Sequence, residues 1–321
     1  MFDLFSGGGG SSLGASMAGL EIVGGAEMDP YPAAAFRVNF PNALLYECDL
    51  RELSPRAVKS DLGRIDLLLA SPECTNHSCA KGSAPRSEES KNTALEVIRF
   101  ARVLRPTWII LENVVHMRPW KRFPELKAAL QDIGYKIKVK VLDSAAFGVP
   151  QRRRRLFMVA SLNGDVFLEN LPTRTEKAAM TVLDRDGTWP TTPLFSTRRA
   201  RRTLDRASRA LERLGAGTPF LLVYYGTDGS GGWQSLDQPL RTITTVDRFA
   251  LVQPSRDGHT MRMLQPSELR RAMGFPRWYR FPDGTRRDKV KLLGNAVCPP
   301  VMRALVSRIS QREGGALPAN E

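Results

Sequence analysis

The first 160 residues alternate short, nearly unbroken apolar runs with stretches whose apolar residues recur at helical spacing. The runs predict strands at Met1–Phe5, Glu21–Ala26, Ala43–Tyr46, Ile65–Ala70, Thr107–Leu111, Tyr135–Val141 and Leu156–Ala160. The stretches between them predict helices over about Ser11–Ala18, Tyr31–Asn39, Asn92–Val103 and Phe123–Ile133. Strand–helix alternation of this kind argues for a mainly parallel sheet with helices on both faces. Asp66–Ala70 is apolar after its opening acid, as expected of a strand buried on both faces. From Leu162 the rhythm breaks. Pro, Gly and Thr punctuate residues 162–235, which read as loops and short strands around one helix, Thr203–Leu214, stopped by Gly215 and Gly217. Helical spacing returns at Ser267–Met273 and Pro300–Gln311, and the tail Glu313–Glu321 is expected to fray.

Composition narrows the class. In 321 residues, 42% hydrophobic and 25% charged exclude wholesale disorder. No apolar run is long enough to span a bilayer, and MFDLFSGGGG lacks the basic and apolar segments of a secretory signal. The cysteines Cys48, Cys74, Cys79 and Cys298 are too scattered for a disulfide framework. They fit a reducing, cytoplasmic setting with no membrane partner.

The net charge is +14, unevenly placed. Residues 1–150 hold 18 basic and 17 acidic side chains, which leaves 29 and 16 for residues 151–321. A near-neutral half followed by a strongly basic one suggests a catalytic half joined to a polyanion-binding half. The basic cluster Arg198, Arg199, Arg201, Arg202, Arg206, Arg209 and Arg213 sits on or beside the expected helix of the second half.

Candidate chemistry gathers at strand ends. The first strand runs into Ser6-Gly7-Gly8-Gly9-Gly10-Ser11, where glycines allow close backbone approach and the next helix offers free N–H groups. The second strand ends at Glu27-Met28-Asp29, about twenty residues on, the spacing of a carboxylate that accepts from ribose hydroxyls. Asp29 would equally cap the helix at Pro30. The third ends near Asp49-Leu50, where Asp49 could accept from an adenine amino group. These ends predict an adenosine-type ligand without choosing between hydride and methyl chemistry.

Past Ala70 comes Cys74, a thiol among polar residues at the edge where parallel sheets carry active sites, with Cys79 as its rival. Glu112 follows four apolar residues, so desolvation would raise its pKa toward neutrality. In Arg152-Arg153-Arg154-Arg155, alternation sends Arg153 and Arg155 to one side and Arg152 and Arg154 to the other, so that one pair can line a site.

Together these pieces resemble the C5-cytosine methyltransferase family over nearly the whole chain. Asp3-Leu4-Phe5-Ser6-Gly7 resembles its cofactor loop, and Glu112-Asn113-Val114 its proton-donating triplet. Gln151-x-Arg153-x-Arg155 resembles its arginine motif, and Pro239-x-x-Thr242-Ile243-Thr244 its support for the recognition region. Arg262 to Pro276 and Gly294-Asn295-Ala296-Val297 resemble the closing motifs.

The resemblance implies an α/β fold: a Rossmann-like, S-adenosylmethionine-dependent methyltransferase domain (1–161 and 262–321) with a small target-recognition domain (162–261). It implies Cys74, Glu112, Arg153 and Arg155 as catalytic, with Cys74 adding to C6 of a flipped cytosine. In that scheme Arg155 holds the base carbonyl while Arg153 helps orient Glu112 and the base. The implied S-adenosylmethionine site is Phe5, Ser6, Gly7, Gly9, Glu27, Met28, Asp49, Leu50, Asn295 and Ala296, with no metal. Double-stranded DNA is the implied partner of a monomer, with a cognate restriction endonuclease as a candidate second partner. Glu73-Cys74-Thr75 departs from the family's Pro-Cys-Gln and leaves two alternatives open: the same chemistry on tRNA, or a DNA-binding relative with impaired catalysis.

Overall fold

The computed structural model describes residues 1–72, 92–225 and 231–311. Strands β1 (Phe2–Leu4), β2 (Gly24–Ala26), β3 (Leu44–Tyr46), β4 (Leu67–Ala70), β5 (Trp108–Val114), β6 (Lys136–Asp143) and β7 (Arg154–Ser161) form one sheet, ordered β3-β2-β1-β4-β5-β7-β6. β1 to β5 pair in parallel, and β7 runs antiparallel between β5 and β6. Both faces are covered. Leu67 and Leu69 of β4 join one apolar cluster while Leu68 and Ala70 join another, and Ile110 and Ile109 of β5 divide the same way. That is why these strands read as continuous apolar runs rather than alternating ones.

Helices α1 (Gly10–Met17), α2 (Pro30–Asn39), α3 (Pro55–Leu62), α4 (Glu96–Leu104) and α5 (Phe123–Asp132) accompany this sheet. α4 shows the expected stripe: Val97, Phe100, Ala101 and Leu104 are buried at helical spacing.

A second, antiparallel sheet is ordered β10-β9-β11-β12-β8. Its strands are β8 (Thr192–Pro193), β9 (Phe220–Val223), β10 (Trp233–Ser235), β11 (Phe249–Ser255) and β12 (Gly258–Met263). α6 (Arg201–Leu214) lays Ala207 and Ala210 on its apolar face, beside Leu194, Phe220 and Leu222. The chain then returns to the first sheet through α7 (Pro266–Ala272), α8 (Arg286–Asn295) and α9 (Pro299–Ser310). α9 packs closely along α1, and a Cβ on Gly14 would stand 2.5 Å from the Pro299 carbonyl oxygen. Among the described residues, no helix is long and apolar enough to cross a membrane.

Three features depart from the sequence reading. β5 continues through Glu112, Asn113 and Val114, because β7 pairs with it as far as Val114↔Arg155. α3 and α8 were not expected. α3 buries only Pro55 and Val58, and α8 carries five charged residues among its first six, so neither shows a broad apolar stripe. The hairpin β11–β12 lies beyond the expected loops and short strands and forms the longest pairing of the second sheet.

Candidate active site

The glycine loop is held from three sides. Phe5 has φ +61, a left-handed backbone that an aromatic residue rarely adopts and that clusters at functional sites. Gly7 and Gly9 follow at φ +54 and +83, where only glycine is unstrained. Glu27, at the end of β2, receives the Gly7 N–H on Oε2 and the Asp29 N–H on Oε1, each at 2.8 Å. Burial pushes its pKa up, and these backbone bonds pull against that shift. The Tyr279 hydroxyl donates to the Gly8 carbonyl at 2.6 Å, and a Cβ on Gly10 would stand 2.5 Å from the Val297 carbonyl oxygen. The segments before and after α8 thus both close against the loop.

The expected cofactor residues are placed as follows. Phe5, Ser6, Gly7 and Gly9 form the loop, with open space beside Gly7. Ser6 is buried and its Oγ has no hydrogen-bond partner among the described residues. Met28 is 66% exposed beside Glu27. Asn295 is exposed at the end of α8, and Ala296 follows it. Leu50 is buried. Asp49 is already engaged: Arg51 donates to both of its oxygens, from Nε at 3.0 Å and from a terminal nitrogen at 2.6 Å, and holds the carboxyl below its ordinary range. An adenine amino group would share this carboxylate with a guanidinium. Asp29 caps α2, accepting from the Tyr31 N–H at 3.3 Å, and pairs with Lys291 at 2.7 Å.

β5 and β7 bring the acid and an arginine together. Arg155 Nε lies 3.2 Å from Glu112 Oε1, and both side chains are nearly buried. Burial raises the Glu112 pKa against the pull of the Arg155 and Arg153 charges. Asn113 donates to the Pro72 carbonyl at 3.0 Å and so anchors the chain as it leaves β4. Ser71 lies with its Oγ 3.3 Å from that of Ser11 in α1. Cys74, Cys79 and the departures at Glu73 and Thr75 lie outside the described residues.

Arg153 sits differently from the orienting role the resemblance implied. Its guanidinium donates to the carbonyls of Ile243 at 2.9 Å, Gly294 at 2.7 Å and Ala296 at 3.1 Å, while Arg155 makes the ion pair with Glu112. The buried Gln151 works alongside it, accepting from the Ile243 N–H at 2.8 Å and donating to the Ala272 carbonyl. Arg152 and Arg154 point out to solvent, Arg152 onto Glu176. On α6, Arg201, Arg202, Arg209 and Arg213 are exposed, and Arg206 lies over the Tyr224 ring. Among the described residues, no group of His, Cys, Asp and Glu could hold a metal.

Two contributors have partners that the sequence does not name. Asp3, inside β1, is fully buried and accepts the Ser12 hydroxyl at 2.6 Å. It opens the Asp3–Gly7 motif, but nothing there points to Ser12. Tyr279 reaches Gly8 across 271 positions, and nothing local marks it.

The model of the family described as C-5 cytosine-specific DNA methylase matches residues 1–311. Type II methyltransferase M.HgiDI of Herpetosiphon aurantiacus is 30% identical over 305 residues, 92% of this chain and 89% of that protein. Type II methyltransferase M1.HphI of Haemophilus parahaemolyticus is 31% identical over 181 residues, 54% of this chain and 49% of that protein, so the match spans about half of that relative. The S. pombe Dnmt2 methyltransferase structure superposes with a TM-score of 0.69 over 98% of each chain at 18% identity, a likeness of fold.

Proposed function

The chain belongs to the C-5 cytosine-specific DNA methylase family, enzymes of methyl transfer to cytosine in DNA, and from that premise we propose its cofactor, its residues and their roles. The cofactor is S-adenosylmethionine, which supplies an electrophilic methyl group on a positively charged sulfur. The loop and its surroundings fit it. The Glu27 carboxylate is fixed by two backbone N–H groups and can still accept from ribose hydroxyls. Ser6 Oγ is buried without a partner among the described residues, the space beside Gly7 is open, and Met28 offers an exposed apolar side chain where an adenine would lie. Phe5, Gly9, Leu50, Asn295 and Ala296 complete the cradle, with Asp49 shared between the base and Arg51.

The thiolate of Cys74 adds to C6 of the target cytosine, while Glu112 gives a proton to N3, so that electron density collects at C5. Arg155 holds the base carbonyl and, through its contact with Glu112, the direction of that proton. Arg153 acts as a positioning residue that ties Ile243 to the end of α8. Once C5 carries the methyl group, loss of its proton expels Cys74 as thiolate. C6 is hidden in a duplex, so the base flips out, and the basic second half holds the opened DNA by its phosphates. The catalytic unit is 1–161 with 262–321, the recognition unit is 162–261, and the enzyme works as a cytoplasmic monomer beside a cognate restriction endonuclease.

The observation that carries this reading is the buried Glu112–Arg155 pair, with Glu112 on β5 beside the strand that leads to Cys74 and Arg155 on β7, the next strand out. Duplex DNA containing 5-fluorocytosine, which cannot lose its C5 substituent as a proton, tests it. The parent and Cys79→Ser proteins should form a covalent, denaturation-resistant complex, and Cys74→Ser should bind DNA yet form none. Trapping by Cys74→Ser would overturn the assignment.

A further inference from the structure

A cavity of about 770 Å³ lies beside α1 and α9, with Phe275, which packs against Gly10 of the glycine loop, in one wall. α1 and α9 run side by side from the cofactor loop: Gly10 meets Val297 and Gly14 meets Pro299 and Arg303. The cavity is lined where these helices have moved on, at Met17, Arg303 and Ser307. Met17 stands roughly 10 Å along α1 from the glycine loop. The remaining walls are the turn before β7, the chain leaving β7 toward the second sheet, and the bend after α7.

The lining is one-signed. It carries Arg174, Lys177, Arg271, Arg277 and Arg303 and no Asp or Glu. Arg271 is paired with Asp184 at 2.5 Å. Among the described residues, Arg174, Lys177, Arg277 and Arg303 make no ion pair. The charges also crowd one another, since Arg271 and Arg277 together press on the half-buried Arg270 and add to the burial that already lowers its pKa. Such a cluster costs energy unless an anion lies against it.

The shape of the lining says which anion. Pro172, Arg174, Lys177 and Arg277 are all exposed, so one lip is open along its length instead of closing around a small molecule. Beyond the cations, the only polar side chains are Thr181 and Ser307, set among Phe, Pro, Gly and Val. That set suits phosphate oxygens, and it lacks the Asn, Gln, Asp and Glu side chains that read adenine and cytosine edges.

We propose that this groove is a second DNA contact, holding the phosphodiester backbone of duplex lying beyond the target site without regard to its sequence. The inference rests on the reading of the protein as a DNA methyltransferase, but its test separates the two. Two duplexes share one methylated site, located beforehand by base-resolution sequencing of DNA from cells that express the protein. One duplex is about one helical turn long and the other about four.

The parent should bind the long duplex more tightly and with the steeper salt dependence. The combined variant Arg174→Gln, Lys177→Gln, Arg277→Gln, Arg303→Gln should bind both lengths alike, its log–log salt slope on the long duplex reduced by about 3.6 if each cation meets one phosphate. Methylation of the short duplex should be unchanged, which also shows that the variant folds. Lysine at the three arginine positions should restore the slope, since point charges suffice for backbone contact.

The proposal is overturned if the parent shows no length dependence, if the variant keeps the parental slope, or if binding of the short duplex falls equally. It is also overturned if the loss appears only with an RNA duplex of the same length. If no site is methylated at all, the functional reading fails instead, and mixed-sequence duplexes of the two lengths still report on the groove.

Discussion

Replacing Asp3 by Asn should make the free protein less sensitive to pH than its parent. Asp3 is fully buried in β1, with its Oδ2 accepting the Ser12 hydroxyl at 2.6 Å and its Oδ1 without a partner among the described residues. Burial, opposed by the Ser12 bond and reinforced by the charge of Glu27, moves its carboxyl from 3.8 to about 7. A carboxyl with a raised folded pKa keeps its proton in the folded chain where the unfolded chain has lost it. Stability therefore falls as pH rises through that window, from the unfolded value to about 7. Some three units at about 1.4 kcal/mol each make this a loss of about 4 kcal/mol.

Asn cannot ionise, but an amide nitrogen at the Oδ1 position would leave a buried donor unsatisfied at a cost of about 1–3 kcal/mol. Urea unfolding without cofactor should find Asp3→Asn below the parent at about pH 4, and above it by about 1–3 kcal/mol at about pH 8. Curves that stay parallel across the range would refute the argument, because they would mean that Asp3 binds no more protons folded than unfolded.

Glu27→Ala should weaken S-adenosylmethionine binding by at least about tenfold, since each charge-assisted bond to a ribose hydroxyl is worth about 1.5–3 kcal/mol; calorimetric titration checks it, and unchanged affinity removes Glu27 from the site. Arg155→Gln withdraws a charge that lowers the Glu112 pKa, so the alkaline limb of the pH–rate profile should move to higher pH while the maximal rate falls; a limb moving to lower pH would contradict Glu112 as the proton donor. Asn113→Ala frees the Pro72 carbonyl and should cost about 1–3 kcal/mol of stability and reduce kcat more than cofactor affinity, as unfolding and steady-state rates would show.

What the sequence made legible was local. The glycine loop, the acid closing β2 and the opposed sides of Arg152–Arg155 each lie within one strand and its exit, where a period of two or a fixed spacing does the work. The partners of those residues were out of reach. Arg153 bonds Ile243, Gly294 and Ala296 across 90, 141 and 143 positions, and no pattern within β7 names them. Glu112 was expected at a strand end because its apolar run stops at Leu111. Its true place inside β5 is set by β7, whose pairing carries the strand on to Val114. Residues 162–235 read as loops and short strands in part because Pro193 stands inside β8, where proline argues against a strand, and β8 keeps its pairing only at the sheet edge.

Pairing an acid that must deliver a proton with an arginine looks self-defeating, because the guanidinium favours the carboxylate. The two influences on Glu112 resolve this. Burial alone would favour the neutral acid so strongly that it would give up its proton reluctantly. The arginine alone would leave an anion with no proton to give. Burial prevails here, so the pKa is raised, but Arg155 and Arg153 limit how far. A donor works best when its pKa lies near the working pH, and the opposed influences move Glu112 in that direction. The same economy explains why Arg155 meets the carboxylate through one edge, at Nε, while another of its nitrogens reaches the Arg154 carbonyl. A full two-pronged clamp would have pulled the acid further toward its charged form. The strand geometry keeps the clamp partial, since Glu112 lies opposite Phe157 in β7 and Arg155 lies opposite Val114, so that the arginine approaches the acid from a diagonal position.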